Sequence, residues 1–599
     1  MAKVVDHLTA SRSRAPDRVA WLAIPMALVL AALYVFPLAQ LLISSFSTAS
    51  GFNVSRYAAL LSDGGFLQVI LRTLRISVLV CLFGSAIGYP IAYAAVRAPK
   101  LVAASMLACV TLPLFTSTLV RSYAWRALLA DNGLVNEWLI RVGLTEKPLT
   151  LIFNDTGIVI GMTQVLLPLM VLPIYASMRN IDLTAISASR SMGATHLAAW
   201  RTIFLPQSSR GLAAGVSLVF ISSLGFYTTP ALLGGIATPM FAQLIDIQIN
   251  TRSEYGPTTA EAALVLLGVI LLLVLLRKPL GLTASAGVQV AAPGPGWAFH
   301  LLVKPFAVAW DYVTRRLGGG MLGRGLRGIE AGISHLRWLI VGTVAAIGIV
   351  ILVGPQLVIL LLAFNSSNFL SFPPAGYSGR WFASYLSDDF WLQSTQLSFL
   401  VSIVAAGVST LLGTLGAFAV VRMRRKRLSV SVYMLGMAPL VMPPILYAVG
   451  LFFVFVTVGL VGTAAGLIVA YSVLGIPYVL VTAQAVVRDI DPLMERAAAS
   501  LGASVLRRTG NVVLPLMIPA VIASFLLAFI HSFDDLVMAV FLGSASTVTL
   551  QMRMYQDIQF EISPKVAAVG VLVTLTMLFL AGATVVFNRH RDRYSPESR

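Results

Sequence analysis

Charge is what this 599-residue sequence has least of: 11% of its residues are charged, against 58% hydrophobic. A soluble domain carries about a quarter of its residues as Asp, Glu, Lys and Arg, so soluble domains are excluded for most of the chain. Cysteine is nearly absent. Cys81 and Cys109 have no CxxC spacing, which excludes a disulfide framework and a thiolate metal site; both fall in apolar runs and read as packing residues. There are seven lysines and none follows a glycine, so no loop ends in the Gly-Lys-Ser/Thr that cradles phosphates. The six histidines show no metal spacing, and neither HExxH nor GxSxG occurs. An enzyme is therefore not expected, nor a cofactor bound by this chain.

What the chain has is long apolar runs. Stretches of about 20 residues or more, enough to cross a bilayer as helix, lie near 21–45, 74–97, 101–124, 156–178, 209–230 and 260–276. A second set lies near 337–362, 395–421, 432–456, 463–487, 516–541 and 567–587. The runs are continuously apolar where barrel strands would alternate. The expected fold class is an all-α polytopic membrane protein of about twelve spans. The first run follows Arg12, Arg14 and Arg18 but exceeds a cleavable apolar core, so it reads as a retained anchor.

The net charge is +18, from 42 Lys/Arg against 24 Asp/Glu. With Met1 placed inside, the basic surplus falls on inner segments, the densest run being Arg422, Arg424, Arg425, Lys426 and Arg427 in a short inner loop. That is the positive-inside asymmetry, and no nucleic-acid partner is expected. Both termini are expected in the cytoplasm.

The chain repeats itself. At an offset of 309, Pro168 matches Pro477, Arg179 matches Arg488, Asp182 matches Asp491, Gly193 matches Gly502, and Leu205-Pro206 match Leu514-Pro515; 9 of 26 positions between 181 and 206 are identical. Upstream the offset is about 325, as in GYPIAYAAVR (88–97) against GTLGAFAVVR (413–422). The expected organisation is a cytoplasmic tail (1–20), a first six-span domain (21–277), a basic cytoplasmic linker (278–336), a second six-span domain (337–588) and a short cytoplasmic tail (589–599). PGPGW punctuation and the run Gly318, Gly319 and Gly320 mark the linker, with a surface helix expected around 297–316.

Between the fourth and fifth spans of each half lies a polar inner loop, 182–206 and 491–515. Asp182 and Asp491 are placed as N-caps, the second followed by Pro492 at the first helical position. Gly193 and Gly502 fit a left-handed helix end. Thr195 and Ser504 then cap a second short helix, expected to stop near Pro206 and Pro515. Two such protrusions at equivalent positions look like docking elements for a partner with two sockets.

The stretches SRSMGATHLAAWRTIFLP (189–206) and ERAAASLGASVLRRTGNVVLP (495–515) resemble the EAA loop of permease subunits of bacterial ABC importers, and the resemblance covers nearly the whole chain in two tandem copies. SLGFYTTPALLGG (223–235) and LPLFTSTLVRSYAW (112–125) look like the first permease of spermidine/putrescine-type importers. HSFDDLVMAVFLGSASTVTLQMRMYQDIQFEISPKVAAV (531–569) looks like the second. The resemblance implies two fused six-helix permease domains in the bacterial inner membrane. It also implies two ABC ATPase subunits holding ATP and Mg at the cytoplasmic face, and an extracytoplasmic solute-binding protein. It assigns ATPase coupling to Asp182, Arg190, Gly193, Ala194, Leu205, Pro206, Asp491, Glu495, Ala497, Ala498, Gly502, Ala503, Leu514 and Pro515. The pattern departs from the family at its glutamate, where counting back from the glycines reaches Ser187 and Arg496, with Glu495 one residue earlier.

For the path, an Asp near a helix centre costs about 2.5 to 3.5 kcal/mol on insertion scales, which singles out Asp534 and Asp535. A helix started near Ile518 carries Asp534 about 24 Å along, toward the outer side, where the acidic pair reads either as attracting a cation that leaves its binding protein or as solvated at a wet helix break. Tyr227 is a candidate for cation–π contact. Arg121 with Tyr123 and Trp125 reads as an aromatic belt with a snorkelling arginine, or as a gate. Glu261 is expected at the interface. The expected solute is spermidine or putrescine, with an opine-like amine, an aminophosphonate or ferric iron as alternatives. The rival reading is an ion-gradient-driven secondary transporter with two six-helix repeats; a membrane scaffold is a third.

Overall fold

The computed structural model describes residues 18–592 except 49–50, 53, 193–198, 236–238, 253–254, 277–320, 369–372, 375, 505–506, 508 and 561–562. In the first half the principal helices are α1 (Val19–Phe46), α2 (Gly64–Arg97), α3 (Lys100–Thr111), α4 (Thr118–Leu129), α5 (Asp155–Arg179), α6 (Leu205–Leu224) and α7 (Tyr255–Leu276). In the second they are α8 (Met321–Ala363), α9 (Asp389–Arg422), α10 (Lys426–Val441), α11 (Pro444–Val458), α12 (Ala464–Asp489), α13 (Leu514–Asp534) and α14 (Lys565–Asp592). Among the described residues, nine helices are long and apolar enough to cross a membrane, and two bent pairs bring the number to eleven. The one remaining expected span, the fifth, corresponds to α6, which is 20 residues long but carries Gln207, Arg210 and five serines, and falls outside that set. The expected surface helix at 297–316 lies outside the described residues. Met321, inside the stretch read as linker, already begins a 43-residue helix that continues to Ala363.

Four expected spans are broken. The third bends by 102° between Lys100–Phe115 and Thr118–Arg141, and the ninth by 98° between Lys426–Val441 and Pro444–Val458. Pro113 lies just before the first break, and Pro443 and Pro444 at the second, where the missing N–H groups cannot carry the helix on. The fifth and eleventh spans end early, at Leu224 and Asp534, and resume as short helices Thr228–Leu233 and Val537–Leu542. Asp535 restarts the second of these by accepting the Met538 N–H at 2.7 Å. Hydropathy is blind to such breaks because both pieces are apolar.

The helices expected to stop at Pro206 and Pro515 run through instead. A π-helical turn precedes each, Trp200–Phe204 and Thr509–Val513, and leads straight into α6 and α13. In the first, the Leu205 N–H reaches back to the Trp200 carbonyl. This wider turn relieves the clash between the proline ring and the preceding turn.

The two halves pack alike. In the first, α2, α5 and α6 contact one another; in the second, α9, α12 and α13 do the same. A close approach is repeated residue for residue: a Cβ on Gly88 would lie 3.0 Å from Met170 Cγ, and one on Gly413 would lie 2.6 Å from Val479 Cβ. Asn154 and Thr463 cap α5 and α12 by accepting from Gly157 N–H at 3.1 Å and Gly466 N–H at 3.0 Å. The first helices are exchanged. α1 packs on α9, α10 and α11 of the second half, and α8 packs on α2 and α4 of the first. Tyr34 of α1 donates to the Ala438 carbonyl at 3.0 Å. Each half therefore completes its partner's apolar surface, and one core spans the fusion.

Candidate functional site

The polar loops are built largely from local capping. Asp182 accepts from the Thr184 N–H at 2.8 Å and the Thr184 hydroxyl at 2.7 Å, and heads the helix Leu183–Ser191. Those hydrogen bonds, the hydroxyl first, hold its carboxyl below the usual Asp range. Asp491 accepts from the Leu493 N–H at 2.8 Å with Pro492 at the first position of Pro492–Ser500. Gly502 ends that helix at φ +81°, a conformation open to glycine without strain. Gly193, Ala194 and Thr195 lie outside the described residues, as does the Arg190 side chain. Ser504 accepts from the Arg507 N–H at 3.4 Å.

Not every candidate coupling residue reaches the surface. Ala497 is exposed and Ala498 and Ala503 are half-buried, but Leu205 is 9% exposed where its counterpart Leu514 is 51% exposed. Glu495 turns inward: its Oε1 sits 3.1 Å from Arg422 Nη2 at the end of α9, and the same guanidinium donates to the Ile490 carbonyl at 3.0 Å. The second loop is thereby tied to a membrane helix by an ion pair. Met192 and Leu501, outside the candidate coupling set, are 83% and 88% exposed at equivalent positions just before the two glycines. Large apolar side chains projecting from polar loops are the signal that identifies them.

The breaks meet where the halves cross. Gly225, at the end of α6, leaves no room for a Cβ against Pro443 of the α10–α11 break. The counterpart crossing sets Asp534, at the end of α13, against Thr118 of the α3–α4 break, where Thr118 N–H and hydroxyl donate to Asp534 Oδ2 at 3.2 and 3.3 Å. One crossing is tight and apolar; its twin is polar. Arg121 Nη2 donates to the Thr118 hydroxyl at 3.1 Å, and the Ser117 hydroxyl donates to Gln551 Oε1 at 3.2 Å. Arg121 Nη1, Asp534 Oδ1 and Gln551 Nε2 are buried without a hydrogen-bond partner among the described residues.

Beside this crossing, Tyr227 donates to Asp246 Oδ2 at 2.8 Å and lies 3.1 Å, hydroxyl to hydroxyl, from Tyr555 of the other half. Burial pushes the Asp246 carboxyl above the usual Asp range, against hydrogen bonds from Asn250 and Tyr227 that pull it down.

Arg121, Tyr227 and Asp534 therefore gather at the junction of the halves. Asp535 does not join them, because its carboxylate caps Val537–Leu542. The belt reading of Arg121, Tyr123 and Trp125 is overturned: they are 4%, 0% and 8% exposed. Tyr123 donates across the halves to the Ser563 carbonyl at 3.0 Å. Glu261, expected at the interface, is buried and accepts from Gln248 at 2.9 Å.

A family model described as "Binding-protein-dependent transport system inner membrane component" matches residues 83–278 and 409–593, more than half of the chain. The spermidine/putrescine transport system permease protein PotB of Salmonella typhimurium (strain SL1344) is 29% identical over 224 residues, 37% of this chain and 78% of that protein. The putrescine transport system permease protein PotI of Escherichia coli (strain K12) is 33% identical over 242 residues, 39% of this chain and 85% of that protein. Among solved structures, a bacterial alginate ABC transporter in complex with an alginate pentasaccharide-bound periplasmic protein aligns with a TM-score of 0.37 at 18% identity, covering 43% of this chain and 94% of that one. The repeated breaks, the repeated Gly contacts and the twofold family match agree: this chain belongs to the family of binding-protein-dependent transport system inner membrane components, and it carries two such permease domains fused in tandem.

Proposed function

We propose that the fused halves form the translocation path of an ATP-driven importer for a small polyamine-like cation. The loops 182–206 and 491–515 face the cytoplasm and receive two ATPase subunits, with Met192 and Leu501 entering their sockets. ATP and Mg are held by those partners, and a soluble binding protein delivers the solute to the opposite face. The relatives' printed names support the solute class. The observation that carries it is the junction of the halves, where Asp246 lies beside the Tyr227 and Tyr555 rings, whose centroids are 6.1 Å apart. A carboxylate beside aromatic faces suits an ammonium. Asp534 has Arg121 close by, so Asp246, bonded by the neutral Asn250 and Tyr227, is the acid best placed to meet the cargo.

The test is reconstitution in liposomes with a candidate ATPase and binding protein, following labelled putrescine with and without ATP. Uptake is expected only with ATP and all components, and D246N is expected to lower it about tenfold or more, the worth of one charge-assisted contact. Uptake by the chain alone under an ion gradient would overturn the proposal.

A further inference from the structure

At the end of the bundle opposite the docking loops, the first half carries a cluster that the second lacks. Arg72 and Arg75 of α2 both pair with Asp155 at the start of α5. Two guanidiniums face one carboxylate, and Arg126 adds a third cation 5.3 Å from the Phe153 ring. Arg72 Nη1 is buried with no hydrogen-bond partner among the described residues, while the Arg75 side chain is 64% exposed. At the matching positions of the second half stand Leu397, Leu400 and Ala464. The duplicated fold is thus built without this cluster, and folding alone does not account for it.

The cluster opens into a cavity of ≈ 670 Å³ lined by Gln68, Arg72, Arg75, Phe153 and Asp155. Directly beside it, sharing Asp155 and Thr156, a second cavity of ≈ 340 Å³ has apolar walls that include Leu79, Phe83, Ile87, Ile160, Trp125 and Ile351. Arg75, Leu79, Phe83 and Ile87 are four residues apart on α2 and so share one face. From Arg75 to Ile87 that face runs about 18 Å, close to the ~15 Å depth of one hydrocarbon leaflet. From Arg75 to Arg97, α2 covers about 33 Å, close to the ~30 Å of the whole hydrocarbon core. Arg72 and Arg75 thus lie at headgroup depth, and the apolar groove descends from them into the acyl region.

We propose that this corner binds an anionic phospholipid, its phosphate on Arg72 and Arg75 and one acyl chain along Leu79, Phe83 and Ile87. The bound lipid fills the gap between α2, α5, α4 and the exchanged helix α8, and so bridges the two halves.

The test uses the full chain in mild detergent, incubated with phosphatidylglycerol or phosphatidylcholine of identical acyl chains and examined by native mass spectrometry. Phosphatidylglycerol is expected to be retained roughly thirtyfold over phosphatidylcholine, the scale set by two basic residues at a membrane surface. The variants R75Q and R72Q/R75Q should lose this preference, and R252Q, an exposed charge removed elsewhere, should keep it. L79W, which fills the groove and leaves the arginines intact, should release the lipid. Equal retention of the two lipids, or a preference unchanged in R72Q/R75Q, overturns the proposal. So does retention that survives L79W and is displaced by inorganic phosphate, which marks a simple anion site.

Discussion

A glycine-to-alanine series separates the contact between the halves from the packing within one. At Gly225 a Cβ would meet Pro443, and it would also stand 3.2 Å from Ile445 Cγ2 and 3.3 Å from Pro443 Cα. Those atoms belong to a rigid ring and a helix start, so they cannot swing aside as a flexible side chain would. Overpacking of this kind costs about 1–3 kcal/mol, which shifts an equilibrium by roughly 5- to 150-fold. Gly413 is equally crowded, 2.6 Å from Val479 Cβ, but inside the second half. Gly407 lies on the same helix with nothing within 4 Å, and there alanine should stabilise by about 0.5–1 kcal/mol through the lost freedom of glycine. The readouts are thermal unfolding and the distance between spin labels on M192C and L501C, in a chain whose Cys81 and Cys109 are replaced by alanine. G413A should lower the unfolding temperature and leave the distance distribution unchanged. G225A should move that distribution, because the crowded contact joins the halves. If G225A matches G407A in both measurements, the crossing is not a packed contact and the reasoning fails.

Three further outcomes are expected. M192S and L501S should each weaken ATPase association measured by pull-down or fluorescence titration by roughly ten- to a hundredfold, since burying a large aliphatic side chain contributes about 1.5–3 kcal/mol; unchanged affinity would remove them from the docking surface. E495Q should lower stability by about 1–3 kcal/mol, because it leaves the largely buried Arg422 guanidinium with a neutral partner; it should also reduce uptake per ATP hydrolysed, and unaltered stoichiometry would show that the pair transmits nothing. Asp388 caps α9 and accepts from Lys565 at 3.0 Å. Partial burial raises its pKa, but the Lys565 hydrogen bond and charge, with the capping N–H groups, outweigh this and hold it below the usual Asp value. Its contribution is therefore present above about pH 4 and lost as pH falls through the lowered value. A K565M chain should show a flatter acid limb in its stability profile, and an identical limb would sink the assignment.

Apolar run length and repeated punctuation were enough to expose two fused halves, because a bilayer imposes about 20 apolar residues per helix and a repeated polar loop repeats its caps. Asp182, Asp491 and Gly502 were legible for the same reason: capping and left-handed turns are local chemistry. What periodicity cannot register is a bend between two buried apolar pieces, so the breaks at Thr116–Ser117 and Met442–Pro443 were hidden inside continuous hydropathy. Nor can one chain position reveal what it faces. Arg121 belongs by composition equally to a membrane belt or to a buried junction, and Asp534 differs from Asp535 only in that one faces Thr118 across the halves while the other turns to cap its own chain.

The sequence by itself therefore determined the membrane class, the tandem repeat and the places where loops turn, since each follows from local transfer and capping energies. Only the tertiary structure decided which side chains meet. The exchange of α1 and α8 and the pairing of Gly225 with Pro443 and of Asp534 with Thr118 are contacts between residues hundreds of positions apart. They arise because each half leaves an apolar face that the other half's first helix is shaped to cover.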